Sequence, residues 1–298
     1  MIIPKKIKIG DKFGIISTAR KISLDELRPA IKILESWGVE VIMGDNLFEQ
    51  DNQFSGKISQ RSADLQQMLD NDSIKAILCA RGGYGSVQII DHVDFSNLIN
   101  NSKWIIGYSD VTVLHSHLCN LGLASLHATM PINFEVNTKE SLDSLKNSLF
   151  GIKRSIKCKS HLLNRFGRIE ADIVGGNLSI LYSLLGSESD IDTDGKILFI
   201  EDIDEYLYHI DRMMMNLKRN GKLKNIVGLI VGGMSDMKDN AISFGKTAEE
   251  IISEHTNDYD LPVCFGFPAG HLNDNRSILL GVSSVLEINE NGVSLSQE

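Results

Sequence analysis

Short apolar segments alternate with amphipathic segments along roughly the first 130 residues of the chain. Apolar residues recur at helical spacing between Leu24 and Trp37, which predicts a helix that ends at Gly38. Similar patterns predict helices over residues 59–69 and 111–121, and strands over 12–17, 39–43, 76–80 and 104–107. Strands and helices that alternate at this spacing indicate βαβ units and a parallel sheet.

The alternation breaks after residue 138. The pattern predicts helices over 141–150, 176–185 and 206–220, and strands over 196–200, 226–231 and 285–288. Residues 153–159 are basic and without a clear period, which predicts a linker. We therefore predict an N-terminal domain over residues 1–150, a linker over 151–168, and a separate α/β or α+β domain over 169–298. The run Met213-Met214-Met215 is predicted to lie in a core-facing helix stripe.

Composition narrows the function classes. The chain has 298 residues, 42% of them hydrophobic, which suffices for two modest domains or one large one. The net charge of −9 argues against nucleic acid and anionic membranes as partners. Neither a signal-peptide pattern nor an apolar stretch of about 18 residues is present. We expect a soluble cytoplasmic protein.

Cysteine and histidine spacing gives no sign of a metal site. The four cysteines form neither a C-x-x-C pair nor a zinc-type cluster, and they are predicted to be buried thiols in a reducing compartment; they are Cys79, Cys119, Cys158 and Cys264. His115 and His117 lie two apart on a predicted helix, so they face different directions. We expect no metal and no organic cofactor.

Ser109 stands where a predicted strand, ending at Gly107, turns into a predicted helix. A serine on such a turn presents its hydroxyl outward, beside backbone N–H groups that attract anions, as in a nucleophile elbow. The G-x-S-x-G pattern is only partly matched, because Val111 replaces its second glycine. The alternative is a helix N-cap.

Arg81-Gly82-Gly83-Tyr84-Gly85 follows another predicted strand. Its glycines allow close backbone approach to a ligand, although the spacing fits neither common phosphate-binding motif. In a parallel sheet this turn and the Ser109 turn both lie at the carboxyl edge, where α/β folds bind ligands. The N–H groups of Gly83 and Asp110 are therefore predicted to form an oxyanion hole beside Ser109.

Two further candidates lie in the second half. Glu201 ends a predicted strand, whereas the carboxylates that follow it fit the first turn of a helix; these are Asp202, Asp204 and Glu205. His271 follows Gly270 in a polar loop, and a merely solvent-exposed histidine is the alternative.

Five motifs in consistent order carry a resemblance that covers the chain from about Lys6 to Val285. They are Arg81-Gly82-Gly83-Tyr84-Gly85, Gly107-Tyr108-Ser109-Asp110, Gly175-Gly176-Asn177-Leu178-Ser179, Leu198-Phe199-Ile200-Glu201-Asp202 with Asp211-Arg212, and Gly270-His271. This set resembles the LD-carboxypeptidase family, which includes the muramoyl-tetrapeptide carboxypeptidases and the microcin C self-immunity peptidases. The resemblance implies an N-terminal flavodoxin-like parallel-sheet domain and a C-terminal α/β domain with a swivelling, barrel-like sheet.

The resemblance also implies a catalytic triad split between the two domains. Ser109 would be the nucleophile, His271 the general base and Glu201 the residue that orients the histidine. The oxyanion hole would lie at Gly82-Gly83 and the Asp110 N–H. No cofactor is implied, and a homodimer is expected.

The implied substrate is a cytoplasmic murein tetrapeptide, cut between the L-centre of a diamino acid and the terminal D-alanine. A carboxypeptidase must bind a free carboxylate, so Arg81 is a candidate partner, with a structural salt bridge as the alternative. Gly82 and Tyr84 are further substrate-binding candidates. Two pairs are expected to play structural roles at the crevice between the domains: Asn177 with Ser179, and Asp211 with Arg212.

Two segments depart from the family pattern. His127-Ala128-Thr129-Met130 stands where His-Gly-Pro-Met is frequent, and Ser17-Thr18-Ala19 where Ser-Pro or Pro-Ser is common. Two rival functions are a self-immunity peptidase that cleaves a peptidyl-nucleotide toxin and a non-catalytic two-lobed binding protein. An aromatic content of 6% argues against the former, which recognises a nucleotide base. The third-position diamino acid and the attached sugar stay open.

Overall fold

The computed structural model describes residues 1–152 and 154–297, without the side chain at position 154. Its strands are β1 Lys12–Ile16, β2 Glu40–Met43, β3 Ile74–Cys79, β4 Trp104–Gly107, β5 Ser125–His127, β6 Arg154–Cys158, β7 Gly167–Asn177, β8 Ile197–Ile203, β9 Gly228–Ser235, β10 Val263–Cys264, β11 Ile278–Leu280, β12 Ser283–Asn289 and β13 Gly292–Gln297. Its α-helices are α1 Leu24–Ser36, α2 Ile58–Asp70, α3 Ser86–Ile89, α4 Asn97–Asn100, α5 Thr112–Asn120, α6 Lys139–Phe150, α7 Leu178–Leu184, α8 Leu207–Arg219 and α9 Ala248–Thr256.

The first sheet has the strand order β11-β5-β4-β3-β1-β2, with all neighbours parallel except β11 and β5. Apolar stripes of α1 and α6 cover one face, and those of α2 and α5 cover the other. Helix α1 begins with a capping box between Ser23 and Glu26, and its periodic residues Leu27, Ala30 and Leu34 are fully buried. The predicted parallel sheet is confirmed.

The second sheet has the order β10-β9-β8-β7-β12-β13-β6. Strands β7 to β10 run parallel, while β12, β13 and β6 pair antiparallel. Helix α8 buries Met213 and Met214 in the core, whereas Met215 is exposed. The predicted two-part α/β architecture is therefore confirmed.

Two local predictions for the second half were wrong. Most of the predicted linker over 153–159 is strand β6, which pairs with β13. This strand is short and lies at a sheet edge, where lysines are typical, so only Ile156 is well buried. The predicted helix over 176–185 begins later, at Leu178, because Gly176 and Asn177 still belong to β7.

Strand β11 joins the first sheet although it comes from the last fifth of the chain. Its residues 278–280 pair antiparallel with β5. The domain boundaries predicted at residues 150 and 168 remain predictions. Strand β11 follows both of them in the sequence, yet it pairs with β5, which precedes both.

All four cysteines are free; Cys79 and Cys264 are buried as predicted, whereas Cys119 and Cys158 are only partly buried. Across the described residues, none of the helices combines the length and the apolar character needed to cross a bilayer.

Candidate active site

Neighbouring strands of the first sheet end beside one another and present their following loops at one edge. Strand β4 leads to Ser109, which adopts a left-handed backbone conformation with φ of 62° and opens a 3₁₀ turn that continues into α5. A non-glycine residue in this region is strained, and such strain is frequent at functional positions. The structure thus gives Ser109 the conformation of a nucleophile elbow.

The glycine turn after β3 packs directly against this serine. A Cβ atom added to Gly82 would lie 3.1 Å from Ser109 Cβ and 3.2 Å from Ser109 Oγ. Gly83 has a φ of 117°, which only glycine adopts readily. The absence of a side chain at Gly82 lets the backbone of this turn approach the serine hydroxyl.

Buried polar groups fix the loops around Ser109. The Asp110 carboxylate is buried and accepts a 2.8 Å hydrogen bond from the N–H of Ser86, the first residue of α3. Burial raises the pKa of Asp110, and this bond partly opposes the shift. The buried Arg61 guanidinium donates to the carbonyls of Thr18 and Gly85, at 2.7 and 3.0 Å, and so joins the loops after β1 and β3.

Glu201 and Asp202 occupy the carboxyl end of β8 in the second sheet, and both are buried. Asp202 accepts 2.9 Å hydrogen bonds from the Asn177 side chain and from the N–H of Ser179 at the start of α7. The prediction that Asp202 serves the first turn of the helix after it was wrong, because it binds the start of a helix that precedes it in the chain. Burial, followed by the Glu201 charge, raises the pKa of Asp202 to about 7.

His271 joins the ends of the two sheets. Its Nδ1 lies 2.6 Å from Glu201 Oε2, and its backbone N–H donates to the same oxygen at 3.1 Å. Its Nε2 lies 3.1 Å from Ser109 Oγ. With the proton on Nδ1 donated to the carboxylate, Nε2 is left to accept the serine O–H. A Cβ at Gly270 would lie 2.6 Å from Glu201, so glycine there lets the loop approach the carboxylate.

Neighbouring carboxylates change the pKa of His271. Burial lowers the pKa of His271, but the charge and hydrogen bond of Glu201, with the charge of Asp202, outweigh it, and the net shift is upward. The Tyr108 ring packs against the imidazole with centroids 4.8 Å apart, and its hydroxyl lies 3.2 Å from Asn133 Oδ1. The ring is therefore held between a carboxylate and an aromatic face.

Ser109 and His271 line a crevice of about 580 Å³ between the two sheets, whereas Glu201 is fully buried and contacts His271. Arg81 also lines it, but its guanidinium donates to Lys21 O at 3.1 Å and lies 3.9 Å from Glu26. Tyr84 instead packs near Phe54, with centroids 6.2 Å apart. Among the predicted substrate-binding residues, Gly82 has the most direct contact with Ser109.

The remaining predicted residues divide in two groups. Asn177 and Ser179 line the crevice, as expected. Asp211 and Arg212 make separate contacts, as their adjacency on a helix predicts: Asp211 binds His255 at 2.9 Å, and Arg212 lies over the Tyr208 ring. Their predicted place at the crevice was wrong, because both contacts lie within the second half around α8 and α9.

His115 and His117 face different partners, in agreement with the prediction. His115 binds Ser125 and the Gly107 carbonyl, while His117 binds Ser189. In residues 1–152 and 154–297, no group of three or more His, Cys, Asp or Glu side chains is arranged to hold a metal ion.

Sequence reasoning missed several residues of the site. Arg20, in the loop between β1 and α1, lines the crevice. Thr112 receives the Asn177 N–H at 3.0 Å and so links α5 to the second sheet. The one sequence signal for Arg20 was its position after a predicted strand. The sequence pattern contained no signal for Thr112.

Both halves of the chain match the domains of a known family. Residues 13–128 match the LD-carboxypeptidase N-terminal domain, and residues 170–286 match the LD-carboxypeptidase C-terminal domain. The chain belongs to the LD-carboxypeptidase family. The two matches together span most of the chain and both sides of the crevice.

Individual relatives of this LD-carboxypeptidase family member cover nearly its whole length. A probable murein peptide carboxypeptidase of Bacillus subtilis is 33% identical over 96% of this chain and 92% of that protein. The crystal structure of muramoyltetrapeptide carboxypeptidase from Oxalobacter formigenes has a TM-score of 0.88 at 26% identity, covering 96% of this chain and 98% of that one. The microcin C7 self-immunity protein MccF of Escherichia coli is 24% identical over 100% of this chain and 96% of that protein.

Proposed function

We propose that this protein is a serine LD-carboxypeptidase that removes the terminal D-alanine from murein tetrapeptides. The observation that carries the proposal is the hydrogen-bonded series from Ser109 through His271 to Glu201, across the crevice between the two sheets. The match to LD-carboxypeptidase domains and the names of the murein-specific relatives support the substrate class.

The proposed chemistry begins with the serine hydroxyl, which is a weak nucleophile until a base removes its proton. His271 Nε2 takes that proton as Ser109 Oγ attacks the amide carbonyl carbon. Glu201 keeps the imidazole in the required tautomer and stabilises the imidazolium that forms. The imidazolium then protonates the leaving amine of D-alanine, and an acyl-enzyme remains.

The tetrahedral intermediate carries a negative oxygen that needs hydrogen-bond donors. We assign this role to the N–H groups of Gly83 and Asp110, because the glycine turn packs against Ser109 and Asp110 lies in the 3₁₀ turn that opens α5. Each such donor contributes about 10²- to 10³-fold in rate. Water, activated by His271, then hydrolyses the acyl-enzyme. None of these steps calls for a metal or an organic cofactor.

A self-immunity peptidase is the rival within the same family. The structure of MccF with aspartyl sulfamoyl adenosine has a TM-score of 0.88 at 21% identity and covers 100% of this chain and 99% of that one, which shows a shared fold. A nucleotide base binds best on an aromatic platform. Within the described part of the chain, Tyr108 is the aromatic residue that lines the crevice, and it packs against His271. This favours the murein substrate.

The proposal includes a cytoplasmic homodimer, as the resemblance implies. Light scattering of the purified protein tests the dimer, and fractionation of cells that produce the protein tests the compartment.

The decisive test is D-alanine release from murein tetrapeptide, measured by mass spectrometry for the wild type and for Ser109→Ala. We expect release by the wild type and a loss of at least about 10⁴-fold in kcat in the variant, with the fold intact. Equal release by both proteins would refute the serine mechanism. Release by neither, together with cleavage of an aminoacyl sulfamoyl nucleoside by the wild type, would establish the rival.

A further inference from the structure

Arg20 is a crevice residue with no role in the mechanism above. Its side chain crosses the glycine turn: a Cβ at Gly83 would lie 2.5 Å from Arg20 Cδ and 3.2 Å from Nε. Gly82, the neighbour of that glycine, contacts Ser109. The guanidinium of Arg20 therefore lies on the side of the crevice that carries the nucleophile and the proposed oxyanion hole.

The backbone that carries Arg20 is held in place. The Ser17 hydroxyl donates to Arg20 O at 2.5 Å, and the Ser55 N–H donates to Ala19 O at 3.1 Å. Arg61 holds Thr18 O, as described above. A cation on a pre-organised loop binds an anion at a lower entropic cost than one on a mobile loop.

The two crevice arginines differ in their partners. Arg81 is engaged by Glu26 and by the Lys21 carbonyl. Arg20 is exposed, and among the residues that the structure describes its guanidinium has no ion-pair partner and no hydrogen-bond acceptor. An arginine without a protein partner retains its planar set of donors for a carboxylate of the substrate.

The opposite wall has the reverse charge. Asp204 and Asp236 line the crevice at the ends of β8 and β9, and Asp204 is paired with Lys238. A substrate carboxylate is repelled by that wall and attracted to the wall of Arg20. The terminal carboxylate carbon of a carboxypeptidase substrate lies at most about 3.7 Å from the scissile carbonyl carbon along the chain, because three bonds separate them. Its partner must therefore lie close to Ser109.

We propose that Arg20 binds the free terminal carboxylate of the substrate and thereby restricts cleavage to the last residue of the peptide. This inference rests on the proposed carboxypeptidase function. It assigns to Arg20 the role for which the sequence had suggested Arg81, and it leaves Arg81 as a structural residue bound to α1 and its preceding loop.

The test separates recognition from chemistry by measuring binding in the Ser109→Ala background. Calorimetry gives the Kd of a murein tetrapeptide that ends in D-alanine and of the same peptide that ends in D-alaninamide. We expect the acid to bind about 10- to 100-fold more tightly than the amide, as for a charge-assisted hydrogen bond. Adding Arg20→Gln is expected to abolish this difference while the Kd of the amide changes less than about 3-fold. Arg20→Lys is expected to restore part of it, because lysine keeps the charge without the planar fork.

Arg28→Gln is the matched control, because it removes one positive charge, as Arg20→Gln does. Arg28 is exposed on α1, where it pairs with Asp25. We expect it to preserve the preference for the acid. Equal weakening of both peptides by Arg20→Gln, an unchanged preference, or loss of the preference in Arg81→Gln instead would overturn the inference. So would the absence of binding of either peptide. D-alanine release by the wild type is measured separately, so a protein that discriminates acid from amide without turnover would refute the proposed function and the restriction of cleavage, and would leave only the binding of the carboxylate by Arg20.

Discussion

The N–H of Asn177 donates a 3.0 Å hydrogen bond to the hydroxyl of Thr112, so a helix that follows the nucleophile is tied to a strand of the other sheet. Both residues are buried. Gly176 permits this approach, because a Cβ there would lie 2.5 Å from Thr112 Oγ1. The side chain of Asn177 in turn binds Asp202, next to Glu201. The bond thus helps to fix the distance between Ser109 and the carboxylate of the proposed triad.

Replacing Thr112 by valine tests this link. The change preserves shape but removes the acceptor and leaves a buried N–H without a partner, which costs about 1–3 kcal/mol. We expect the free energy of unfolding, measured with urea, to fall by that amount. Thr112→Ser keeps the hydroxyl and is expected to retain more of kcat than the valine variant. A valine variant as stable and active as the wild type would contradict the role of this bond.

Gly82→Ala tests the close contact of the glycine turn with the nucleophile. The backbone of Gly82 does not have the positive φ that disfavours alanine, but the added methyl would lie 3.2 Å from Ser109 Oγ. We expect kcat to fall by about 10-fold or more, because a small displacement of reacting groups has a large effect on rate. Thermal unfolding is expected to change by only a few degrees. Wild-type kcat in a folded variant would show that the turn accommodates the added methyl group without displacing Ser109.

The pH dependence of activity follows from the histidine. The neutral form of His271 is the base, so kcat/KM is expected to rise with pH through a pKa above the ordinary value of about 6.5. Glu201→Gln removes the charge that raises this pKa, so the acidic limb is expected to move to lower pH. We also expect kcat to fall by about 10²- to 10⁴-fold, since the tautomer is no longer fixed. Glu201→Asp, which keeps the charge, is the control, and an unmoved limb in the glutamine variant would argue against the coupling.

His115 contributes to stability in a pH-dependent manner. Burial lowers its pKa to about 4, although the bond to Gly107 O opposes the shift. Below about pH 6.5 the unfolded chain binds a proton that the folded chain does not, so stability falls as pH decreases from about 6.5 to 4. His115→Leu removes this term and leaves Gly107 O without its donor. We expect the variant to be less stable at pH 7, by about 1–3 kcal/mol.

Denaturant unfolding across this pH range measures the effect. The gap between wild type and His115→Leu is expected to narrow as pH falls, by at most about 1.4 kcal/mol per pH unit. A gap that stays constant from pH 7 to pH 4 would mean that His115 takes up its proton equally in the folded and unfolded chains, so that its pKa is not lowered by folding.

Much of the fold was predictable from local sequence, and the central residues of the site from short motifs that resemble those of a known family. Helix α1 carries its own cap and apolar stripe, so its bounds were found to within a residue. The motifs around Ser109, Glu201 and His271 are short and contiguous, and the structure brings these three side chains within hydrogen-bond distance. Local periodicity and capping were sufficient for the helix, whereas the roles of the three side chains were implied by the resemblance of their motifs to the LD-carboxypeptidase family.

Features that depend on distant partners were not predictable. Strand β6 is stabilised by β13, about 140 residues later, and its own pattern lacks a clear period. Asp202 was assigned to the helix that follows it, whereas its partner is the start of α7, about 20 residues earlier. The difference between Arg20 and Arg81 depends on Glu26, a neighbour that only the fold brings to Arg81.

Strand β11 has a consequence for how the molecule is made. Its residues 278–280 complete the edge of the first sheet beside β5, and they are synthesised about 150 residues after β5. During synthesis on the ribosome, the edge of β5 in the nucleophile-carrying half therefore remains unpaired until β11 has emerged. A nascent chain stopped before residue 278 presents that open strand edge to other chains, and such an edge favours aggregation.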